Sequence, residues 1–308
     1  MAFRFSGHET FPCRYAWLPK AFKEINANSA AFADEEQAMI RLGVGKNMVR
    51  AIRFWMLETS IVSRTDAHGY EPTPFARAVL GRHGFDPFLE DIRTLWLIHW
   101  NLSTHKKDEP LFAWNFLLNH WQSPEINRSE VLQAFRKVAD AEDRPPSDVT
   151  LEQHFDTFLH TYVPTRSRKG DIQEDNLDCP LVELEFLQLI GERRLDGSGK
   201  REPIYAFRRE EKQEITPELF AYCLNDFWQQ RWNAEKTLSF KEVAFGHGSP
   251  GQVFKLPEWS IRQRLEAISS DTDGFFRYTE SAARQQVSRG GEPGKDLLES
   301  VYREGIPC

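Results

Sequence analysis

The fold of this chain is decided by residues 34–72, which read DEEQAMIRLGVGKNMVRAIRFWMLETSIVSRTDAHGYEP. Asp34, followed three residues later by Gln37, is typical of a capping box and predicts a short helix through Leu42. The glycines of Gly43-Val44-Gly45 then break that helix. The pattern therefore predicts a helix, a tight turn and a second helix.

The second helix is predicted from Lys46 to about Thr59 and is amphipathic. Its apolar residues Val49, Ile52 and Met56 recur at helical spacing, so they are expected to face a core. The opposite face is basic, as a recognition helix in the major groove of DNA requires. The residues of this helix predicted to bind DNA are Lys46, Asn47, Arg50 and Arg53.

A hairpin and a third helix are predicted next. Residues 61–65 and 70–72 flank the loop Asp66-Ala67-His68-Gly69, as expected of two short antiparallel strands. Thr73-Pro74 supplies an N-cap and a first-turn proline for a helix that Gly81 ends. The order helix, turn, helix, hairpin, helix predicts a winged helix. The alternative is a helical subdomain whose basic face is simply solvated.

The N-terminal stretch Phe5-Ser6-Gly7-His8-Glu9-Thr10-Phe11-Pro12-Cys13-Arg14 sets ionisable groups among two phenylalanines and a proline. Such residues hold the groups between them at fixed positions, as a functional site requires. The groups concerned are His8, Glu9 and Arg14. The alternative is structural: His8 and Glu9 hydrogen-bond buried backbone groups and lock this segment against the fold.

Residues 164–178 form a polar segment with little helical periodicity. Its charged residues include the cations Arg166, Arg168 and Lys169 and the carboxylates Glu174, Asp175 and Asp178. Carboxylates on a loop suit a divalent metal and neighbouring cations suit a DNA strand, as in a nuclease. The alternative, which composition alone favours, is a solvated loop whose charges neutralise one another.

Four stretches resemble a bacterial family whose best understood members are the nicking component, SspB, of the single-strand DNA phosphorothioation system. They are residues 5–11, 42–49 and 174–178 and the turn at 248–251. The resemblance implies a DNA nickase of an antiphage defence system. It also implies that the nick in double-stranded DNA gives three partners, a cysteine desulfurase, an ATPase and a reductase-like protein, access to one strand.

The activity implied by this resemblance needs oxygen ligands for a metal and a group that stabilises the phosphate. The candidate catalytic residues are His8, Glu9, Arg14, Glu174, Asp175 and Asp178. The last three are the candidate ligands of Mg²⁺ or Mn²⁺. The second class of function is a non-catalytic winged-helix adaptor that binds DNA and recruits the modification enzymes.

The remainder of the chain predicts two further regions. Four tryptophans between residues 88 and 121 indicate a helical core, which is also a candidate homodimer surface. A helix is predicted after Cys179-Pro180, through Leu181, Leu184, Leu187 and Ile190, with a hairpin from 193 to 207. Near the C-terminus a capping box, helices and a strand suggest a second winged helix. Arg262 and Arg264 are its predicted DNA-binding residues.

Together these patterns predict a mainly α (α+β) fold with winged helices at both ends. The predicted divisions are 1–33, 34–86, 87–235 and 236–308. The chain has 40% apolar residues and a net charge of −7, so its basic residues must be segregated if it binds a polyanion. No long apolar run or leader pattern is present, which predicts a cytoplasmic protein without membrane contact.

Overall fold

A computed structural model describes residues 3–66, 69–104, 109–164, 179–195, 200–281, 284–291 and 293–303. The helices in this part of the chain are α1 (Trp17–Ala27), α2 (Glu35–Leu42), α3 (Lys46–Glu58), α4 (Pro74–Leu80), α5 (Ile92–Thr104), α6 (Phe112–Asn119), α7 (Arg128–Ala139), α8 (Asp148–Tyr162), α9 (Pro217–Arg231), α10 (Phe240–Phe245), α11 (Pro250–Phe254), α12 (Glu258–Asp271) and α13 (Leu297–Arg303). The strands are β1 (Val62–Arg64), β2 (Tyr70–Pro72), β3 (Ile126–Asn127), β4 (Leu187–Arg194), β5 (Arg201–Phe207), β6 (Thr237–Ser239), β7 (Phe276–Glu280) and β8 (Gln285–Arg289).

These elements form small antiparallel sheets among many helices, which confirms the α+β class. The sheets have the strand orders β1-β2, β3-β5-β4 and β6-β8-β7. The chain divides into two compact units. Unit 1 contains Met1–Phe116 and Trp121–Arg208, and unit 2 contains Leu117–His120 and Arg209–Cys308.

Local sequence determines the helix–turn–helix of unit 1 as predicted. The Asp34 carboxylate caps α2 by accepting hydrogen bonds from the backbone N–H groups of Glu36 and Gln37. Gly43 ends α2 in the left-handed conformation with φ of 66°, which glycine adopts at no steric cost. The residues of α3 predicted to face the core are buried, and β1 and β2 pair antiparallel immediately afterwards.

Aromatic side chains fill the core of unit 1. Trp55, Trp96, Trp100 and Trp114 are each at most 1% exposed. The hydroxyl of Tyr162 makes two polar contacts inside this core. It lies 2.7 Å from Nδ1 of His99 on α5, and it accepts a hydrogen bond from Nε1 of Trp114. Large rings bury much apolar area per residue, so this cluster stabilises the unit that carries the helix–turn–helix.

The predicted helix through Ile190 is wrong. The chain forms only a 3₁₀ turn at Pro180–Leu184, and Glu185 then takes a left-handed φ of 46°. Residues from Leu187 onward form β4, whose backbone pairs with β5. Apolar residues three apart are typical of one helix face, but Ile190 is 55% exposed in β4, and the backbone of this segment pairs with β5 instead.

Unit 2 packs helices against the sheet β6-β8-β7. The predicted capping box is confirmed, since Ser239 and Glu242 exchange side-chain to backbone hydrogen bonds at the start of α10. The turn predicted up to residue 251 is shorter than expected, because Ser249 caps α11 there. In the core the rings of Trp228 and Phe276 stack with centroids 5.9 Å apart.

Candidate nucleic-acid interface

The basic face of α3 reaches solvent at its N-terminal end. Lys46 and Asn47 are exposed, and Arg50 and Arg53 are half-buried one and two turns further on. Gly45 occupies the N-cap position without a side-chain cap, and the first turn of α3 contains no acidic residue. The backbone N–H groups of that turn therefore add partial positive charge to the side-chain cations.

One carboxylate from α2 lies against this face. Glu35 forms ion pairs with Lys46 (Nζ to Oε2, 3.1 Å) and with Arg50 (Nε to Oε1, 2.8 Å). The hydrogen bond from Arg50, followed by that from Lys46, lowers the pKa of Glu35. Since the carboxylate of Glu35 is ionised at neutral pH, it partly neutralises the basic face in the free protein.

Several contacts hold the N-terminal signature and the preceding Arg4 against the rest of unit 1. Arg4 pairs with the buried carboxylate of Glu58 at 2.8 Å, and its backbone bridges to Leu111. Gly7 has a φ of +112°, and a Cβ there would approach the ring of Phe54 to 2.9 Å. Position 7 therefore requires glycine, both for its backbone conformation and for the close approach of this ring.

His8 is buried rather than facing solvent. It is only 3% exposed, and its ring stacks on that of His154 from α8 with centroids 5.4 Å apart and an angle of 15°. Its Nε2 lies 3.2 Å from Nδ1 of His154, and its Nδ1 lies 3.2 Å from the hydroxyl of Thr157. Nε2 of His154 accepts the backbone N–H of Ala113 at 3.0 Å.

These contacts assign the protons on both rings. Because Ala113 donates to Nε2, a neutral His154 carries its proton on Nδ1 and donates it to Nε2 of His8. The hydroxyl of Thr157, which lies beside Nδ1 of His8, donates to the carbonyl oxygen of Gln153. A second proton on either ring would face another N–H group, so these contacts require two neutral histidines.

A second backbone donor competes for His8. The N–H of Thr10 donates to Nδ1 of His8 at 3.1 Å, and two neutral imidazoles cannot satisfy this bond, the bond from Ala113 and the contact between the rings all at once. Burial, with a smaller effect of Arg4, lowers the pKa of His8 to about 4. Burial and His8 lower the pKa of His154 well below its usual value.

Glu9 and Thr10 form the central pair of a tight turn above His8. Both have positive φ, 51° and 65°, and the N–H of Phe11 donates to the carbonyl of His8, as in a type I′ turn. Neither residue type favours this conformation, which is strained for a β-branched threonine. The hydrogen bond and charge of Glu35 are the main causes that raise the pKa of the Arg50 guanidinium, and the charge of Glu9 adds a smaller effect. Glu9 therefore acts on the basic face of α3 through its charge.

The other predicted site residues lie elsewhere. Arg14 is half-buried, with its guanidinium over the ring of Trp17 at 5.5 Å. In unit 2, Arg262 is held by Glu280 at 2.6 Å, and Arg264 donates to two backbone carbonyl groups. Burial lowers the pKa of Arg264. Their roles in DNA binding stay predictions.

The predicted metal ligands Glu174, Asp175 and Asp178 lie outside the described residues, as do the predicted DNA-binding residues Arg166, Arg168 and Lys169. Within the described ranges, no group of three or more His, Cys, Asp or Glu side chains is arranged to hold a metal ion. The described side chains by themselves therefore do not fit a magnesium site, and the ligand set stays a prediction.

Two residues that contact predicted site residues were missed by the sequence analysis, namely buried His154 and Glu35. His154 lies 146 positions from its partner His8, and no local pattern connects them. Glu35 was visible only as an acidic residue in the first turn of α2. Its role as counter-ion depends on the angle between two helices, which the sequence pattern leaves open.

These observations define an α+β protein in which a helix–turn–helix, a hairpin and an N-terminal signature with buried His8 meet. The chain belongs to a family described as "Protein of unknown function (DUF4007)", whose model matches residues 5–302. None of the curated proteins matches it. No helix in the described ranges has the length and apolar character needed to span a bilayer.

Two solved structures are similar to this chain. One is a crystal structure of magnesium ion-bound SspB, with 25% identity, a TM-score of 0.79, and coverage of 97% of this chain and 86% of that one. The second is another SspB crystal structure, with 24% identity, a TM-score of 0.77, and coverage of 98% and 86%, which shows a common fold. The predicted resemblance to the SspB family is confirmed.

Proposed function

We propose that this protein is the DNA-nicking component of a phosphorothioation-based antiphage defence system. The observation that carries the proposal is the fold shared with magnesium ion-bound SspB over 97% of the chain. A cysteine desulfurase, an ATPase and a reductase-like protein are the proposed partners, and a homodimer in the cytoplasm is the proposed setting. Winged helices at both ends of the chain complete the proposal.

In this proposal α3 enters the major groove and β1-β2 is the wing. Arg50 and Arg53, one and two turns along α3 from Lys46, are spaced to reach phosphates along one strand. The amide of Asn47, exposed in the first turn, suits the edge of an adenine base. Phosphate oxygens replace the carboxylate of Glu35 as partners of Lys46 and Arg50 when DNA binds.

For strand cleavage, the surface around Glu9 and Arg50 is the proposed location. Support comes from Glu9, a predicted catalytic residue among the described ones, whose charge has a small effect on the predicted DNA-binding residue Arg50 beside the larger effect of Glu35. Buried His8 holds the turn that carries Glu9, so we assign it a positioning role. Glu174, Asp175 and Asp178 remain the proposed ligands of Mg²⁺ or Mn²⁺, which would supply charge stabilisation at the scissile phosphate.

Conversion of supercoiled plasmid to open circles tests the nickase. We expect open circles with purified protein and Mg²⁺ or Mn²⁺, none with EDTA, and at least a 100-fold slower rate for Glu9→Gln and Asp175→Asn. Both variants keep the size of the side chain, and Glu192→Gln on β4 is the control for loss of one exposed carboxylate. Equal rates for all variants would remove these residues from the site.

The second candidate function is a DNA-binding adaptor without nuclease activity. The burial of His8 against His154 and Thr157 favours it, because a structural role accounts for that residue. In the same assay an adaptor retards the plasmid in a gel without opening it. Retarded, intact plasmid in the presence of either metal would establish this function and contradict the nickase.

Neutralising Glu35 is expected to strengthen DNA binding. In Glu35→Gln the ion pairs to Lys46 and Arg50 are lost and repulsion of phosphate is removed, so affinity for a 20-base-pair duplex should rise about threefold in 0.1 M salt. Fluorescence anisotropy measures the change. Glu192→Gln, which removes the partner of Arg201, is the matched control. An equal rise in both variants would mean that only net charge matters.

A further inference from the structure

Unit 2 contains a group of cationic and imidazole side chains drawn from three separate segments. Nη2 of Arg231, the last residue of α9, lies 3.0 Å from Nδ1 of His247 in the loop between α10 and α11. The ring of His247 lies against that of His120, with centroids 5.3 Å apart and an angle of 50°. Arg231 and His120 are exposed and His247 is half-buried, so the group opens to solvent.

The backbone of the loop is shaped for this group. Gly248 has a φ of +72°, and a Cβ there would lie 3.1 Å from Nη2 and 3.4 Å from Nε of Arg231. The guanidinium of Arg231 therefore occupies the space that a side chain at position 248 would need. The N–H of Gly248 donates to the side-chain oxygen of Asn119 at 2.7 Å, which fixes the loop beside His120.

Arg231 differs from Arg262 and Arg303 of the same unit in its partners. Arg262 is paired with Glu280, and Arg303 with Glu299 at 2.8 Å. Among the described residues, no carboxylate lies within ion-pair distance of Arg231, whose hydrogen-bond partner is His247. A guanidinium has no acceptor, so Nδ1 of His247 accepts, and the neutral ring carries its proton on Nε2.

The positive charge of Arg231 acts on the ring of His247. Burial, followed by the charges of Arg231 and His120, lowers the pKa of His247 to about 4. A guanidinium next to imidazoles, without a carboxylate, matches the donors that proteins direct at phosphate oxygens. Bound phosphate would pair with the guanidinium charge and accept from N–H donors.

We propose that Arg231, His247 and His120 form a phosphate-binding site in unit 2 that holds one phosphodiester of the DNA backbone. The inference rests on the proposed function for the source of the phosphate, and on geometry for the site itself. It adds a contact that is separate from the face of α3. The same chemistry would also accept a free phosphate compound, so the experiment distinguishes the two.

The first arm measures DNA binding by the full chain. For Arg231→Ala we expect three- to tenfold weaker affinity for a labelled duplex in 0.1 M salt, and a slope of log K against log salt that is about 0.9 smaller, as for one lost phosphate contact. Arg303→Ala removes an exposed, paired arginine of the same unit and should change neither quantity. Arg231→Lys should recover part of the affinity because it restores the charge.

The second arm uses inorganic phosphate alone. Imidazole signals in NMR spectra should shift for His247 and His120 when sodium phosphate replaces sodium chloride at equal ionic strength, and the shifts should vanish in Arg231→Ala. Absence of a phosphate-specific shift in the wild type would overturn the site. Thermal unfolding of each variant shows whether it remains folded.

The two arms separate the inference from the proposed function. Phosphate-dependent shifts, together with equal DNA binding by Arg231→Ala and Arg303→Ala, would overturn the DNA backbone as the ligand. If the wild type bound phosphate at this site and bound no DNA, the proposed function would fail and the site would be assigned to a small phosphate compound. Shifts together with the expected loss of DNA affinity would support the inference, whether or not the plasmid is nicked.

Discussion

Replacing Arg50 and Arg53 together by alanine is expected to weaken binding to duplex DNA on the order of 100-fold at low salt. Each charge-assisted hydrogen bond to a phosphate contributes about 1.5 kcal/mol, which is about tenfold in affinity. The loss should be larger for Arg50, since its removal also exposes the carboxylate of Glu35 that it neutralises. Arg53 has no ion-pair partner among the described residues and is available to DNA.

Salt dependence distinguishes direct phosphate contacts from a general change in charge. The slope of log K against log salt should fall by about 1.8 in the double variant, which corresponds to two phosphates. The matched control is Arg201→Ala with Arg303→Ala, which removes two exposed arginines that have carboxylate partners elsewhere. If both double variants lost affinity and slope to the same extent, α3 would not be the element that enters the groove.

Lowering the pH from 7 to 4 is expected to destabilise the protein because His8 and His154 are buried as neutral rings. The folded-state pKa of His8 is depressed from 6.5 to about 4. Below pH 6.5 this histidine binds a proton in the unfolded chain but not in the folded chain. The free energy of unfolding is therefore highest above pH 6.5 and decreases as the pH falls towards 4. His8 alone accounts for about 3 kcal/mol of this loss.

Urea unfolding between pH 5 and 8 measures the effect. His8→Asn leaves the Nδ1–H of His154 without an acceptor, so at pH 7.5 the free energy of unfolding should fall by about 1–3 kcal/mol. The dependence on pH should also become shallower, by up to 1.4 kcal/mol per pH unit near pH 5.5.

The matched control is His83→Asn, the same substitution at an exposed histidine after α4. It should leave both the stability and its pH dependence close to those of the wild type. A His8→Asn variant with the wild-type pH dependence would contradict the assignment of His8 as a neutral ring in the folded protein.

Sequence patterns predicted helix ends well where one residue type caps or ends the helix locally. The caps at Asp34 and Ser239 and the turn at Gly43 define helix ends through hydrogen bonds within a few residues, and each appears in the structure. The helix predicted through Ile190 failed although its apolar spacing favours a helix, because pairing with the later strand β5 determines this element.

Candidate site residues were predicted with more mixed results. The basic face of α3 was visible in the sequence because helical periodicity separates it from the buried face. His8 was singled out because it lies among phenylalanines and other ionisable residues in the signature. That pattern does not show whether its side chain is exposed or buried. Only its contacts with α8 show that it is buried and neutral.

The sequence by itself therefore determined the helix–turn–helix and hairpin, the α+β class and the family resemblance, since all of these depend on residues close together in the chain. Tertiary structure alone decided that His8 stacks on His154, that Glu35 covers two cations of α3, and that Arg231 meets His247. The physical reason is that charge pairing and burial depend on distances in space. Those distances are fixed only when separate elements pack together.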